Sequence, residues 1–265
     1  MKEDKEYCDV SKVHIAPIAK SIAKDIIVKK HYTHAWTACR YSLGIYYKAE
    51  GELQFGDSKL IGVAIYGFPV GARAATSVCE GLTKDNALEL TRLYIDDGYG
   101  SNIESYAMSQ TFKWLKENDK NIKLLLSYAD AGQQHLGSIY QATNWIYQGT
   151  SDDIALMPNY GISLSKDPYK WIHSRTVYSL WGSSNLEHLK KEIGKQGHKE
   201  FYRRMESPKH RYVMLLPQNK KEKRELMKAL KHEIKPYPKN AEDYIPEIEM
   251  HKTYAPEESN DINFW

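Results

Sequence analysis

"CRYSLGIYYKAEGELQFGDSKLIGVAIYG", residues 39–67, sets two runs of strand-forming residues on either side of a polar link. "CRYSLGIYY" and "KLIGVAIYG" are rich in Tyr, Ile and Val, and "KAEGELQFGDS" (48–58) breaks them, so the segment reads as two antiparallel strands joined by a turn. Downstream, "ALELTRLYI" (87–95) adds a third strand, with Leu88, Leu90 and Leu93 expected inward. Upstream, "SKVHIAPI" is a short strand. Pro17 is placed to open a helix in which Ile18, Ile22, Ile26 and Ile27 recur at helical spacing as far as "KKHYTHAW". A second helix is expected from Asn102 to Glu117, with Ser101 and Glu104 at the spacing of a capping box. "IKLLLSYA" has the apolar run of a strand covered on both faces, "QHLGSIYQAT" reads as a short helix, and "WIYQGT" as the next strand.

The order β-α-β-β-β-α-β-α-β describes a mixed α/β sheet with helices on both faces. It resembles the order in GNAT acyltransferases, because three consecutive antiparallel strands fall at the same place. The expected fold class is therefore a GNAT-like mixed sheet with a basic C-terminal extension. After Ser151 the pattern loosens: a loop to Trp171, a strand at "RTVYSLW" (175–181), a late strand at "HRYVMLL" and a basic helix at "KKEKRELMKALKHEI". From Pro236 the chain is acidic and Pro-interrupted, ending "NDINFW", and reads as an extended tail with little core. Three segments are expected: a core over 10–182, a basic extension over 183–235 and a tail over 236–265.

The net charge of +3 is unevenly spread. Between Glu187 and Lys235 fifteen Lys and Arg face seven Glu, a local +8 that leaves −5 for the remainder. Such a block is either a solvated face or a surface for phosphates, with Lys220, Lys221, Lys223 and Arg224 the candidates for DNA contact. Twenty tyrosines supply rings that stack on bases and hydroxyls that hydrogen-bond. The three cysteines are widely spaced and form no CxxC, which argues against a disulfide framework or a zinc knuckle. The opening "MKEDKEYCDV" is too charged for a signal peptide, and no run of roughly eighteen apolar residues exists, so an intracellular protein without a membrane span is expected.

Several residues stand out for their chemistry. "IDDGYG" (95–100) precedes the second helix where acyl-CoA enzymes of the GNAT type place a Gln/Arg-x-x-Gly-x-Gly/Ala loop around a pyrophosphate. Gly98 and Gly100 match the small positions of that cofactor loop. Ile95, however, replaces the donor, and Asp96 and Asp97 add negative charge, which disfavours acetyl-CoA and leaves another anion or a plain helix start. His31, Tyr32 and His34 lie at the end of the first helix, where the two histidines complement the helix C-terminus or His31 and Tyr32 act as metal ligands. Asp130 caps the short helix after it or joins them, and Tyr140 is a further oxygen donor; such an N/O set suits iron better than zinc. Arg92 is either an exposed edge residue or an inward anion ligand. Ser105 either caps its helix or meets a substrate.

"HY" (31–32), "LTRLYI", "IESYA", "SYADAGQQHLGSIYQATNWIYQG" (127–149) and "SPKHRYVMLL" together resemble the Mom family of phage DNA-modification proteins over roughly residues 10–216, most specifically within 127–149. The resemblance implies a GNAT-like, iron-dependent transferase. Such an enzyme adds a carbamoylmethyl-type group to adenine N6 in double-stranded DNA and so protects phage DNA from host restriction. It implies that His31, Tyr32, Asp130 and Tyr140 surround the metal, that Arg92, Ser105, Asp130 and Tyr140 are needed for activity, and that the protein works in the host cytoplasm. The group donor is left unidentified, and a homodimer is compatible. Two other readings stay open: an ordinary GNAT acyltransferase acting on a small amine or protein, and a non-catalytic DNA-binding protein on the same scaffold.

Overall fold

The structure is a computed structural model that describes residues 7–48, 58–69, 74–151, 159–165, 170–241 and 243–254. In chain order its elements begin with β1 (Val13–Pro17), α1 (Lys20–Lys30), β2 (Tyr41–Lys48), β3 (Ser58–Gly67), α2 (Ala74–Val78), β4 (Ala87–Ile95) and α3 (Ile103–Asn118). There follow β5 (Leu124–Asp130), α4 (Ser138–Ala142), β6 (Ile146–Thr150), β7 (Tyr160–Ser163), α5 (Ser174–Trp181) and α6 (Leu186–Lys195). The last are β8 (Glu200–Met205), β9 (Lys209–Leu215), α7 (Lys220–Lys228) and β10 (Ile248–Lys252). They fall into two units that interleave in sequence: 1–129, 135–150 and 210–240 form the first, and 130–134, 151–209 and 241–265 the second.

The first unit contains the expected mixed sheet, in the order β1-β2-β3-β4-β5-β9-β6. The strands β1 to β4 are antiparallel neighbours and β5 runs parallel to β4. Strand alternation sorts the core onto two faces. On one, Leu43, Ala64, Tyr66, Leu88, Leu90 and Leu125 meet Met108, Phe112 and Leu115 of α3. On the other, Val63 and Ile65 meet Ala23 and Ile27 of α1, while Leu124, Leu126 and Val213 meet Val78 of α2 and Leu226 of α7. Burial on both sides is why "LLL" carries no polar alternation. Leu88 and Leu90 are buried as expected, and Leu93 packs on the same core while partly exposed.

The second unit is a three-stranded sheet, β10-β8-β7, with a core of Ile162, Val177, Trp181, Leu189, Ile193 and Phe201.

Four local expectations are corrected. Pro17 ends β1, and α1 starts at Lys20 after Ala19. The box at Ser101 and Glu104 does not form. Asn102 precedes α3 at φ 70°, a left-handed conformation with no side-chain cap, and the Ser101 carbonyl instead accepts from the Cys8 amide at 3.0 Å. "RTVYSLW" is helix, not strand: Ser174, Val177 and Trp181 form a buried stripe at helical spacing, His173 accepts from the Arg175 amide, and Gly182 stops the helix at φ 71°. The residues after Pro236 include a strand, since Ile248–Lys252 pairs with β8, although most of its side chains stay exposed. The link at 49–57 and the terminal "NDINFW" lie outside the described residues.

Candidate active site

The parallel pair β4–β5 is hydrogen-bonded only over Ala87–Glu89 against Leu124–Leu126, although β4 continues to Ile95 and β5 to Asp130. The cause is local. Tyr66 pairs with Leu90 and Ile65 with Arg92, so Thr91 is an extra residue in β4, a bulge that bends the strand and re-aims Arg92. At the point of separation the Ser127 hydroxyl replaces the ladder: its Oγ lies 3.1 Å from the Leu90 carbonyl and 2.7 Å from the Tyr140 hydroxyl. A carbonyl only accepts, so the single Ser127 proton goes to Leu90 and Tyr140 donates to Ser127. Burial raises the Tyr140 pKa to about 12, and the neighbouring Tyr32 and Glu89 push the same way. Tyr140 therefore holds its proton at neutral pH. Its ring is fixed against Trp145 and Tyr212, with centroids 5.1 and 5.0 Å away.

Also in the first unit, His31 ends α1 and is 6% exposed. Burial first, then the charges of Arg92 and His34, lower its pKa to about 4, so its imidazole is neutral. Tyr32 stacks on it at 4.4 Å, is itself 74% exposed, and meets His135 edge-on at 6.1 Å. Arg92 donates to the carbonyls of Ala35 at 3.3 Å and Thr91 at 2.6 Å. The His34 ring bonds the Val28 carbonyl at 3.0 Å, which satisfies the end of α1. Thus His31, Tyr32, Arg92 and Tyr140 share one electrostatic neighbourhood.

Asp130 belongs to the second unit. One carboxylate oxygen accepts from Ser207 at 2.6 Å and from the Gly132 amide at 3.0 Å, and the other pairs with Lys209 at 2.5 Å. Burial pushes this carboxyl up, but Lys209 and Ser207 outweigh it and hold it below the ordinary value. The bond to Gly132 makes Asp130 the cap of a short 3-10 turn at 131–133. Ser105, in the first turn of α3, returns its hydroxyl to the Asn102 carbonyl at 3.0 Å.

The iron implied by the family resemblance meets occupied donors. The Thr33 amide donates to His31 Nδ1 at 3.1 Å, which leaves the proton of the neutral ring on Nε2 and neither nitrogen with a free lone pair. Tyr140 is protonated and both oxygens of Asp130 are taken. Among the described residues no three His, Cys, Asp or Glu side chains gather as a metal site. The donor types suit iron, but His31 and Tyr140 each keep a proton where a ligand needs a lone pair, and Asp130 keeps its own partners.

The loop at 95–100 is tight at Gly100 and open at Gly98, where an added Cβ would meet nothing within 4 Å. Gly98 and Gly100 have φ of 91° and 85°, and a Cβ on Gly100 would come within 2.7 Å of the Cys8 amide nitrogen. Asp96 is paired with Lys30 at 2.7 Å and accepts from Tyr94 at 2.9 Å. Lys220, Lys221, Lys223 and Arg224 lie exposed on α7, whose buried anchor is Leu226. Among the described residues no helix is long and apolar enough to cross a membrane.

Ser127, Glu89, Ser207 and Lys209 were not among the residues singled out from sequence. Ser127 carried a signal, a hydroxyl inside an apolar strand that must find a partner. Lys209 carried none, because it lies 79 positions from the carboxylate it neutralises.

Among known proteins, the chain is 24% identical over 236 residues to the methylcarbamoylase Mom of Escherichia phage Mu, covering 86% of this chain and 84% of that protein. Solved structures similar to it include a ribosomal-protein-S5-alanine acetyltransferase from Vibrio fischeri, with a TM-score of 0.40, 9% identity, and coverage of 78% of this chain and 94% of that one. Another is NAA60 of Arabidopsis thaliana in complex with acetyl-CoA, with a TM-score of 0.42, 8% identity, and coverage of 77% and 99%. The profile of the Mom protein family matches residues 12–239, most of the sequence, and the chain belongs to that family.

Proposed function

We propose that the protein is a transferase that modifies phage DNA, placing a carbamoylmethyl-type group on adenine N6 and thereby shielding the DNA from host restriction in the host cytoplasm. The observation that carries this reading is the Mom family match across residues 12–239, a span that includes the whole opened β4–β5 pair. In the reaction the N6 nitrogen bonds to the donor's methylene carbon, the leaving group departs with the bonding pair, and one N6 proton is lost to a base. An alkylated N6 carrying its extra proton is strongly acidic, so even a carboxylate of lowered pKa, such as Asp130, serves as acceptor. Tyr140, which keeps its proton, is held in place by Ser127 and becomes the hydrogen-bond donor when a substrate acceptor takes that bond from Ser127. Arg92 supplies a fixed positive charge for an anionic part of donor or DNA, and Ser105 a hydroxyl. Paired adenine is recessed in the stack, so the base is extruded before reaction.

Iron held through His31, Tyr32, Asp130 and Tyr140 is part of this proposal. It requires the His31 ring to surrender its Nε2 proton, Asp130 to leave Lys209 and Tyr140 to give up its proton, so Asp130 and Tyr140 either hold the iron or serve as acceptor and donor. A bound iron would supply a Lewis acid that polarises the donor. DNA contact is assigned to Lys220, Lys221, Lys223 and Arg224.

The deciding experiment is nucleoside mass spectrometry of DNA from cells expressing the chain. A new adenine nucleoside, heavier by a carbamoylmethyl group, is expected. Unmodified DNA from cells containing folded protein rejects the reading.

A further inference from the structure

The second unit contains a cleft of about 310 Å³, the lower end of the range for small-ligand sites. Its wall includes Asp130, Trp171, His173, Arg204, Glu206 and Lys209. The charges there are not evenly satisfied. Asp130 is neutralised by Lys209 at 2.5 Å. Glu206 accepts from the Ser174 amide at 2.8 Å and its hydroxyl at 3.0 Å, with His173 at 3.3 Å. Arg204 is different: among the described residues its guanidinium has no carboxylate partner and lies over the Trp171 ring, 4.2 Å from the centroid.

Two features orient that cation. Arg204 sits opposite Gly161 on the adjacent strand, and the bare backbone there is covered by Trp171, whose ring would lie 3.8 Å from an added Cβ. Its neighbour Arg203 alternates to the other face of β8, stacks on Tyr160 at 3.4 Å and does not line the cleft. A guanidinium held flat on an indole keeps its edge N–H groups for an anion and its outer plane for an aromatic base.

We propose that this cleft is a nucleotide-phosphate site: Arg204 binds a phosphate oxygen pair, and the Trp171–Arg204 stack supports the attached base. The proposal deepens the reading of the protein as a DNA-modifying enzyme and rests on it for the choice of nucleotide. The same chemistry is offered by a nucleotide in a DNA strand and by a free nucleotide or a nucleotide-bearing donor.

The test uses the full chain and three probes: dAMP, deoxyadenosine, and a fluorescent 12-mer single-stranded oligodeoxynucleotide. One lost charge-assisted bidentate contact corresponds to roughly a 10- to 100-fold loss of affinity. Arg204→Gln is expected to weaken dAMP or the 12-mer by that factor and Arg204→Lys by less, while Arg203→Gln, which removes the same charge from the other face, leaves binding unchanged. Deoxyadenosine, lacking phosphate, is expected to bind at least tenfold more weakly than dAMP. Circular dichroism and thermal melts verify that each variant is folded. Arg204-dependent binding of the 12-mer alone identifies the strand as the source, and of dAMP alone a free nucleotide; either supports the site. The proposal is overturned if neither probe binds saturably, if Arg204→Gln binds as wild type does, or if Arg203→Gln loses as much. Modified adenine made at full rate by Arg204→Gln removes the cleft and leaves the enzyme reading standing. Arg204-dependent nucleotide binding without any modified base does the reverse.

Discussion

Tyr140 and Ser127, thirteen positions apart, meet at 2.7 Å because the short helix α4 folds back onto the strand it has just left. The contact falls where β4 and β5 stop pairing, so a protonated phenol stands beside the point at which the two strands part. Tyr140→Phe keeps the ring against Trp145 and Tyr212 and removes only the donor. Modified adenine per enzyme is expected to fall by about 100-fold, the lower range for loss of a proton-handling group, with the melting temperature nearly unchanged. Full activity in Tyr140→Phe would return the residue to a packing role.

The strands β2 to β5 were legible because each is a run of strand-formers and the fully covered one is uniformly apolar. α5 was misread for the opposite reason: Val177, Tyr178 and Trp181 have strand propensity, but burial of Ser174, Val177 and Trp181 at helical spacing decided the outcome. The bulge at Thr91 left no trace in sequence, since register depends on what the neighbouring strand presents. The interleaved units left none either, because shifts of composition mark contiguous segments only. His31, Tyr32 and Tyr140 were picked out for chemistry, and the structure brings them near Arg92 or one another; the states of their protons depend on Thr33, Ser127 and burial, which no spacing reveals.

Asp119 gives a stability test away from the site. It accepts from Tyr41 at 2.7 Å and Arg40 at 3.0 Å, and its side chain is 9% exposed. Burial pushes its carboxyl up, but Tyr41, Arg40 and the Asn121 amide outweigh this and hold it below the ordinary 3.8. Asp119→Asn is expected to cost about 1–3 kcal/mol at pH 7 in urea unfolding. A depressed carboxyl stabilises the fold above its unfolded pKa, and that contribution is lost as pH falls through the folded value. The difference between wild type and variant therefore narrows below about pH 4. A difference that stays constant from pH 7 to pH 3 would show that the charge is not what stabilises.

Acetyl-CoA is expected to bind poorly. The Gly100 loop packs against the backbone of Tyr7 and Cys8, the Cys8 amide is spent on Ser101, and Ile95 offers no donor. Titration calorimetry is expected to show no saturable binding at about 100 μM. A micromolar dissociation constant, about −8 kcal/mol, would overturn this and favour an ordinary acyltransferase.

On α7, Lys220, Lys221, Lys223 and Arg224 are exposed, with Arg224 Nε 3.4 Å from the Lys220 carbonyl and Lys221 4.0 Å from Glu225. Each phosphate neutralised adds about 0.9 to the slope of log affinity against log salt. Reversing all four charges is expected to weaken duplex binding and to flatten the slope by about two to four. An unchanged slope means that α7 is a solvated face, and the catalytic proposal survives that result.

The metal is tested most sharply through His31. With the Thr33 amide on Nδ1, metal-free protein is expected to show His31 as the Nε2–H tautomer in long-range nitrogen–proton spectra. Ligation through Nε2 must expel that proton, so zinc, used as a diamagnetic stand-in, is expected to abolish the Nε2–H signal. Asp130 must likewise exchange Lys209 for metal, and this separates its two roles. Lys209→Met leaves the carboxylate without its cation and is expected to raise iron content measured by mass spectrometry. Asp130→Asn keeps the shape, removes the anionic oxygen and is expected to lower it. A ferric centre bearing a Tyr140 phenolate also absorbs visible light, a band that Tyr140→Phe removes. If the tautomer signal ignores metal while Asp130→Asn retains full iron, these residues hold no iron. Asp130 is then the cap of the turn at 131–133, and His31 the neutral neighbour of Arg92.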